Sequence, residues 1–361
     1  MTSTLLLMIV GLAALVVGAE ALVRGASKLA MSFGISPLVV GLTVVAFGTS
    51  SPEMAVSIDA ALSGKVDLAM GNVVGSNIFN VLFILGASAL ITPLLVAQQL
   101  IRQEVPIMIG VSLLLILLVI DRNVGRVDGF VFLVLLAAYT TFLVRQSRRA
   151  NQALHEEAAS EVATLTRGGW DGKLPVQLFL VVVGLGLLIL GADWFVGAAV
   201  NIAKALGVSE TIVGLTIVAA GTSMPEVATS LLAAFRGERE IAVGNVVGSN
   251  IFNILGCLGL PAVVAPAGLV VTESIVTFDL PVMAAVAVAC LPIFFSGNSI
   301  SRWEGGVFLG YYVAYTAYLV LAAQQHDALA GYSFVMAWVV IPLTVLTLAV
   351  AVSRQLRHAS A

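Results

Sequence analysis

The chain has 361 residues, of which 60% are hydrophobic and only 10% charged, a balance far outside that of soluble globular domains. A transmembrane helix needs about 20 apolar residues, so the length accommodates roughly ten or eleven and leaves no room for a separate water-soluble catalytic domain. The formal net charge of −3 comes without a basic stripe or tail, which argues against a nucleic-acid partner.

Apolar runs, read against polar and Pro/Gly punctuation, predict helices over 4–30, 37–62, 68–92, 102–120, 127–146, 175–205, 210–235, 241–264, 274–295, 303–323 and 331–353. The first run carries Glu20, Arg24 and Lys28 and matches a later internal segment, so it reads as a retained helix and not a cleaved signal peptide. Between the fifth and sixth helices, Gln146 to Lys173 is the only long hydrophilic interval, holding Arg148, Arg149, His155, Glu156, Glu157, Glu161 and Arg167. It reads as a solvated linker. Cys257 and Cys290 lie in separate apolar runs and read as small core residues, not a disulfide or metal site. His155, His326 and His358 are too scattered to form a buried zinc cluster.

The two halves repeat one another. Residues Gly11 to Gly86 align without a gap to Gly184 to Gly259, and from Gly41 and Gly214 onward roughly 29 of 46 positions are identical. The likeness continues with small shifts through Glu104-Val-Pro106 against Asp279-Leu-Pro281, and Arg126-Val-Asp-Gly129 against Arg302-Trp-Glu-Gly305. Each half is five helices, and because five is odd the second copy must enter the membrane from the opposite side. The expected fold is an all-α polytopic membrane protein of two inverted five-helix repeats plus an extra C-terminal transmembrane helix. Its expected parts are a first repeat over 1–146, a cytoplasmic linker over 147–173, a second repeat over 174–325, and the extra helix with a cytoplasmic tail over 326–361. Lys and Arg collect on cytoplasmic loops. An outside N-terminus puts about thirteen of them inside, among them Arg102, Arg145, Arg236 and Arg302, and about four outside (Lys65, Arg122, Arg126, Lys204).

The second helix of each half holds the same string, ending Gly48-Thr-Ser-Ser-Pro-Glu53 and Gly221-Thr-Ser-Met-Pro-Glu226. Each places a carboxylate at membrane depth with no Lys or Arg on its own helix, and such an acid costs several kcal/mol unless paired or bound to a cation. Thr49 and Ser50 precede Glu53 by four and three residues, as Thr222 and Ser223 precede Glu226, so hydroxyls and carboxylate share a helix face. Pro52 and Pro225 cannot donate to the carbonyls of Gly48 and Gly221; neighbouring carbonyls such as those of Ala46 and Ala219 are then candidate ligands where the helix breaks. The third helix of each half opens with Gly71-Asn-Val-Val-Gly-Ser-Asn-Ile-Phe-Asn80 and Gly244-Asn-Val-Val-Gly-Ser-Asn-Ile-Phe-Asn253. Asn72, Ser76 and Asn80, like Asn245, Ser249 and Asn253, form a polar stripe, which by itself can be interhelical hydrogen bonding. Neither string has the Lys-Ser/Thr ending or the preceding strand of a phosphate cradle. Glu20 and Asp193 correspond across the repeat but read as facing water or a helix end, whereas Asp59 has Leu232 as its counterpart. Glu104, Asp128, Asp279 and Glu304 lie near helix ends and read as solvated.

The paired Gly-Thr-Ser-x-Pro-Glu and Gly-Asn-Val-Val-Gly-Ser-Asn-Ile-Phe-Asn strings resemble the alpha repeats of the calcium/cation antiporter superfamily, especially prokaryotic sodium/calcium exchangers. That resemblance, over about 4 to 323, implies a ten-helix core whose second, third, seventh and eighth helices enclose four cation sites while the first and sixth slide to alternate access. It implies calcium ligation by Glu53, Glu226, Thr49 and Thr222. Sodium would use Ser50, Ser76, Ser223 and Ser249 with the carbonyls of Ala46 and Ala219 and the two glutamates, and Asn80 and Asn253 complete the centre. Many members carry an aspartate at a central position, whereas Asn80 and Asn253 are neutral here, giving a formal site charge of −2. Exchange at the family's stoichiometry is then electrogenic. No cofactor is implied; the bound species are transported calcium and sodium ions, the other partner is the lipid bilayer, and a bacterial inner membrane is the expected location. The alternative is a proton/calcium antiporter of the same fold. A cation channel or an intramembrane enzyme fits less well, because inverted repeats suit alternating access and the helices hold no nucleophile–base pair.

Overall fold

The computed structural model describes residues 2–157, 173–207, 213, 216–217 and 219–359. Most of the predicted linker, 158–172, and the first turns of the predicted seventh helix therefore fall outside the described residues. The chain folds into α1 (Thr2–Phe33), α2 (Pro37–Thr49 continuing as Ser51–Leu62), α3 (Val66–Ile91), α4 (Leu100–Asp121) and α5 (Arg126–Glu157). There follow α6 (Leu174–Ala205), α7, whose main described stretch is Met224–Arg236, α8 (Arg239–Val264), α9 (Ile275–Phe295), α10 (Arg302–Ala323) and α11 (Ala328–Val350). Helix bounds agree with the periodicity to within a few residues, with one exception. Helix α5 runs on to Glu157, well into the interval read as linker, because the Gln, Arg and Glu residues there are good helix formers and nothing before Glu157 breaks the helix.

Nine described helices are long and apolar enough to span a bilayer, and the bent pair of α2 makes a tenth span. Burial runs inside out relative to composition. The helices richest in polar strings lie at the centre, with 89% of the most apolar stretch of α8 and 72% of that of α3 buried, against 6% in α10 and 0% in α11. Large apolar side chains such as Leu6, Ile9, Val134 and Trp338 cover the outside. In lipid, apolar surface needs no burial and polar groups do, so the polar strings are drawn to the axis.

The repeat is visible as symmetric packing. Helices α1 and α6, which correspond in sequence, lie against each other antiparallel, with Gly11 beside Gly191 and Gly18 beside Gly184. A Cβ at Gly18 would lie 2.8 Å from the Gly184 carbonyl oxygen, and one at Gly184 would lie 2.6 Å from the Leu22 nitrogen. The backbones touch only because side chains are absent. Two short antiparallel pairs tie the halves together, Leu94–Leu95 with Ser299–Ile300 and Asn123–Val124 with Leu269–Val270. The fourth helix of each half begins with a widened π turn, Leu100–Glu104 and Ile275–Asp279, set by Pro106 and Pro281, which cannot close the α-helical bonds to Arg102 and Thr277.

Two of the four acids near helix ends, Glu104 and Glu304, are buried, contrary to the reading from sequence, and Asp128 and Asp279 are half-buried. Glu104 is fully buried, accepting hydrogen bonds from Gln99, Gln103 and, at 2.8 Å, the Tyr139 hydroxyl of α5. Its counterpart Asp279, half-buried, accepts from the Tyr315 hydroxyl of α10 at 2.8 Å. In each half a carboxylate–tyrosine bond thus fastens the fourth helix to the fifth. Glu304, 5% exposed, caps α10 through the backbone and hydroxyl of Ser301, and Asp128 accepts from the Gly125 N–H. Sequence position gave proximity to helix ends but not the neighbours that cover them.

Replacing Gly184 by Leu, where the Cβ meets backbone, is expected to lower stability by about 1–3 kcal/mol or more. Gly186→Ala, at an exposed position where no described atom lies within 4 Å of an added Cβ, is expected to be neutral. Thermal unfolding of the two variants in the same detergent checks both.

Candidate functional site

The site is built where α2 and α7 break. Helix α2 bends by 42° between Thr49 and Ser51, and the break residues of the two halves have matching backbones, with Ser50 at φ −79°, ψ 4° and Ser223 at φ −86°, ψ 10°. Each break is followed by a fresh helical turn containing Pro52 and Glu53, or Pro225 and Glu226. The carboxylates therefore sit in the first turn of a half-helix, where unpaired N–H groups and the dipole favour negative charge. The break does not leave the Ala46 carbonyl wholly free. It accepts the Ser50 N–H at 3.0 Å; the Thr49 hydroxyl lies 3.4 Å away, but its one proton has a nearer acceptor in Asn245 Oδ1 at 3.1 Å, which leaves the carbonyl's second lone pair usable by a cation.

The two break points face each other, and their side chains cross. The Ser223 hydroxyl donates to Glu53 Oε1 at 2.9 Å, and Ser50 donates to Glu226 Oε1 at 3.2 Å. Ser223 also bonds Ser76 at 3.1 Å, which brings in α3. Thr49 donates to Asn245 Oδ1 and Thr222 to Asn72 Oδ1, each at 3.1 Å. Those asparagines in turn donate to Ser230 at 2.9 Å and Ser57 at 3.1 Å, and Asn72 reaches the Glu53 carbonyl at 3.2 Å. Glu53, Glu226, Thr49, Ser50, Ser223, Ser249 and Asn253 are fully buried, and Ser76 and Asn80 nearly so. Ten of the twelve residues singled out from sequence are thereby placed on the four central helices through their side chains; Ala46 and Ala219 lie in the short helical stretches just before the breaks.

Sequence reasoning missed Asn77 and Asn250. Each donates its amide N–H to the other's backbone carbonyl at 3.3 Å, which orients the amide so that its Oδ1 accepts from the neighbouring helix. Asn80 donates to Asn250 Oδ1 at 3.0 Å and Asn253 to Asn77 Oδ1 at 3.1 Å. The NH2 groups of Asn80 and Asn253 are thus engaged, and their oxygens are not. The signal lay in the same Ser-Asn-Ile-Phe-Asn string, off the stripe marked by the four-residue spacing.

Oε2 of Glu53, Oε2 of Glu226, Oδ1 of Asn80, Oδ1 of Asn253 and the Ser249 hydroxyl are buried without a hydrogen-bond partner. Four of these are amide oxygens or oxygens of carboxylates, which when ionised only accept. An orphaned acceptor costs about 1–3 kcal/mol, and more when charged, so their concentration around one point is unfavourable unless a cation supplies the missing positive charge. An oxygen-only donor set of carboxylate, hydroxyl, amide and backbone carbonyl suits hard cations of the calcium type.

Gly244 and Gly248 of α8 pack against α2, so that a Cβ would lie 3.0 Å from the Leu38 carbonyl oxygen and 2.8 Å from Leu42 Cα, and Thr49 and Asn245 beside that contact are fully buried. In the other half Gly71 is exposed and Asn72 and Thr222 are half-buried, and most of the stretch of α7 that repeat symmetry sets against them lies outside the described residues.

Antiparallel repeats with broken helices that meet over buried oxygen ligands define a membrane ion transporter of the antiporter type. The chain belongs to the sodium/calcium exchanger protein family, whose profile matches residues 3–145 and 176–321, and with it to the calcium/cation antiporter superfamily. It is 37% identical over 312 residues to the putative antiporter CaxA of Alkalimonas amylolytica, covering 85% of this chain and 95% of that one. It is 33% identical over 347 residues to the sodium/calcium exchanger MaX1 of Methanosarcina acetivorans, covering 88% and 99% respectively. A solved structure of the sodium-calcium exchanger NCX_Mj soaked with zero Na+ and Ca2+ superposes with a TM-score of 0.74 at 30% identity, covering 87% of this chain and 98% of that one. The family profile ends before α11, the helix that has no partner in the repeat.

Asn250→Ala removes the acceptor for Asn80 and is expected to lower thermal stability by about 1–3 kcal/mol, whereas Asn250→Asp, which sets a buried carboxyl against the Asn77 carbonyl oxygen in place of an N–H donor, is expected to lose at least as much. Unfolding midpoints in detergent compare the two.

Proposed function

We propose that the chain exchanges sodium for calcium across the membrane by alternating access, with both ions held in turn between Glu53 and Glu226. The observation that carries this reading is the set of buried acceptor oxygens on these glutamates and on Asn80 and Asn253 that lack any hydrogen-bond donor. Calcium takes six to eight oxygen ligands, and Glu53, Glu226, Thr49 and Thr222 with nearby carbonyls supply a set of that kind. Sodium, carrying one charge, is served by the smaller oxygen groups around it: Ser50 and Ser223 beside the carboxylates, Ser76 and Ser249 on α3 and α8, and the carbonyls of Ala46 and Ala219 at the breaks. Because Asn80 and Asn253 are neutral, the site carries −2 when both glutamates ionise. One calcium neutralises it, and three sodium ions leave it at +1, so exchange at three to one moves net charge.

The hydroxyls now bonded to Glu53 and Glu226 rotate toward a bound cation without moving the backbone, since a hydroxyl has lone pairs as well as a proton. That economy makes the serines adjustable ligands. The Lys and Arg distribution orients the N-terminus outside and the C-terminus in the cytoplasm. Similarity to the inner membrane protein YrbG of Escherichia coli, 41% over 261 residues, supports placement in a bacterial inner membrane.

Uptake of radioactive calcium into proteoliposomes, driven by an outward sodium gradient with pH clamped, tests the coupling. Calcium entry that follows the sodium gradient and responds to an imposed membrane potential is expected; entry that ignores sodium and follows a proton gradient reassigns the counter-ion. Glu53→Gln and Glu226→Gln are each expected to abolish calcium exchange while the protein still elutes as a folded species. Normal transport in either variant rejects the assigned site. Thr49→Ala is expected to weaken transport without abolishing it, because its carbonyl survives. Calcium should also raise the thermal midpoint of the wild-type protein through binding to the folded state, and should fail to do so in the two Gln variants.

A further inference from the structure

Helix α11 does not close onto the bundle. Between α9, α10 and α11 lies a cavity of about 640 Å³, walled mainly by apolar side chains such as Val286, Ile293, Val307, Met336 and Leu348. Along α10 its lining runs from Trp303 to Tyr318, which at 1.5 Å per residue is about 22 Å, most of the roughly 30 Å hydrocarbon thickness of a bilayer. A volume of this size spread over that length is a slot about 30 Å² in section, long and one chain wide.

Its walls offer little to water. Among the polar lining groups, Tyr311 is bonded to Thr344 and the Val340 carbonyl, Tyr315 to Asp279, Tyr332 to the Ala314 carbonyl and Thr347 to the Leu343 carbonyl. Oε2 of Glu304 is engaged in capping α10 at Ser301. A water in an apolar cavity lacks the two to four partners it needs, and an empty cavity forfeits the dispersion contacts of its whole lining. The slot is also continuous with the lipid-facing surface: Trp303, Leu343 and Val345 both line it and stand 56%, 62% and 60% exposed.

We infer that the slot is a binding site for one acyl chain of a bilayer phospholipid, which completes the packing of α11 against the second repeat. The headgroup lies at the Trp303 end, where the indole marks the membrane interface and the exposed Arg302 next to it supplies a cation for the phosphate. The site is separate from the oxygen cluster and does not depend on which ions are exchanged.

The full-length protein, purified in mild detergent and washed extensively, is examined by native mass spectrometry and phosphate analysis. About one retained phospholipid per chain is expected. Ala289→Phe and Ala337→Phe, which fill the slot, are expected to cut that retention at least fivefold, while Val313→Phe, on the exposed face of α10 outside the slot, leaves it unchanged. Monodispersity and calcium exchange report whether each variant is folded. If a filled variant fails to fold, wild-type protein in vesicles with a photoactivatable-chain phospholipid decides the matter. Crosslinks to peptides holding Ala289 or Ala337 support the site. The inference is overturned by a wild-type protein that keeps no phospholipid, by equal retention in folded filled variants, by crosslinks confined to outer positions such as Val313, or by a second copy of the chain occupying the slot.

Discussion

Two carboxylates buried side by side in an apolar bundle, with no basic residue beside them, set the terms for the rest of the molecule. Glu53 and Glu226 are both fully buried, and each accepts a hydrogen bond from a serine hydroxyl of the opposite half. Charge of one sign in such a place is tolerable only if charge of the other sign visits it. Helix breaks that free backbone groups, a surrounding shell of neutral oxygens and rigid support for each of them all answer that requirement. An arginine within the cluster would have satisfied the same electrostatics permanently and left nothing to transport.

The supporting shell explains why α3 and α8, which carry the duplicated Ser and Asn strings, are the most buried of the described spans. Asn77 and Asn250 use backbone carbonyls to fix their own amides and then hold Asn80 and Asn253, so the unpartnered oxygens of the latter are oriented by protein groups alone. Asn72 and Asn245 do the same for Thr222 and Thr49. What resembles packing glue along each helix is a device for orienting oxygens, and the two descriptions refer to the same bonds.

Symmetry is close at the centre and fades outward. The crossed Ser–Glu and Thr–Asn bonds match between halves in partner and nearly in length, as do the carboxylate–tyrosine clamps at Glu104 and Asp279. By contrast Arg236 pairs with Glu20 at 2.8 Å, whereas the counterparts are Ser63 and Asp193, which cannot form an ion pair. Near-identical sequences thus hold different surroundings, which a two-state transporter needs and a rigid symmetric dimer does not. The slot beside α11 belongs to the same periphery, where lipid takes over from protein as the packing medium.

Much of this was legible in the chain. Hydropathy set the number and bounds of the spans, because a bilayer leaves helices few alternatives. The duplicated strings marked Glu53 and Glu226 and their flanking hydroxyls, because an acid at membrane depth and a proline after a Gly-Thr-Ser break are costly features with few structural uses. Tertiary structure alone decided which groups meet. It showed that each glutamate is bonded by the serine of the other half, that Asn77 and Asn250 are orienting residues, and that Glu104 and Glu304 are buried although they stand near helix ends. It also showed that α11 stands off the bundle. Those facts depend on side-chain direction and on contacts between residues more than a hundred positions apart, and periodicity along one helix carries no information about what the facing helix presents.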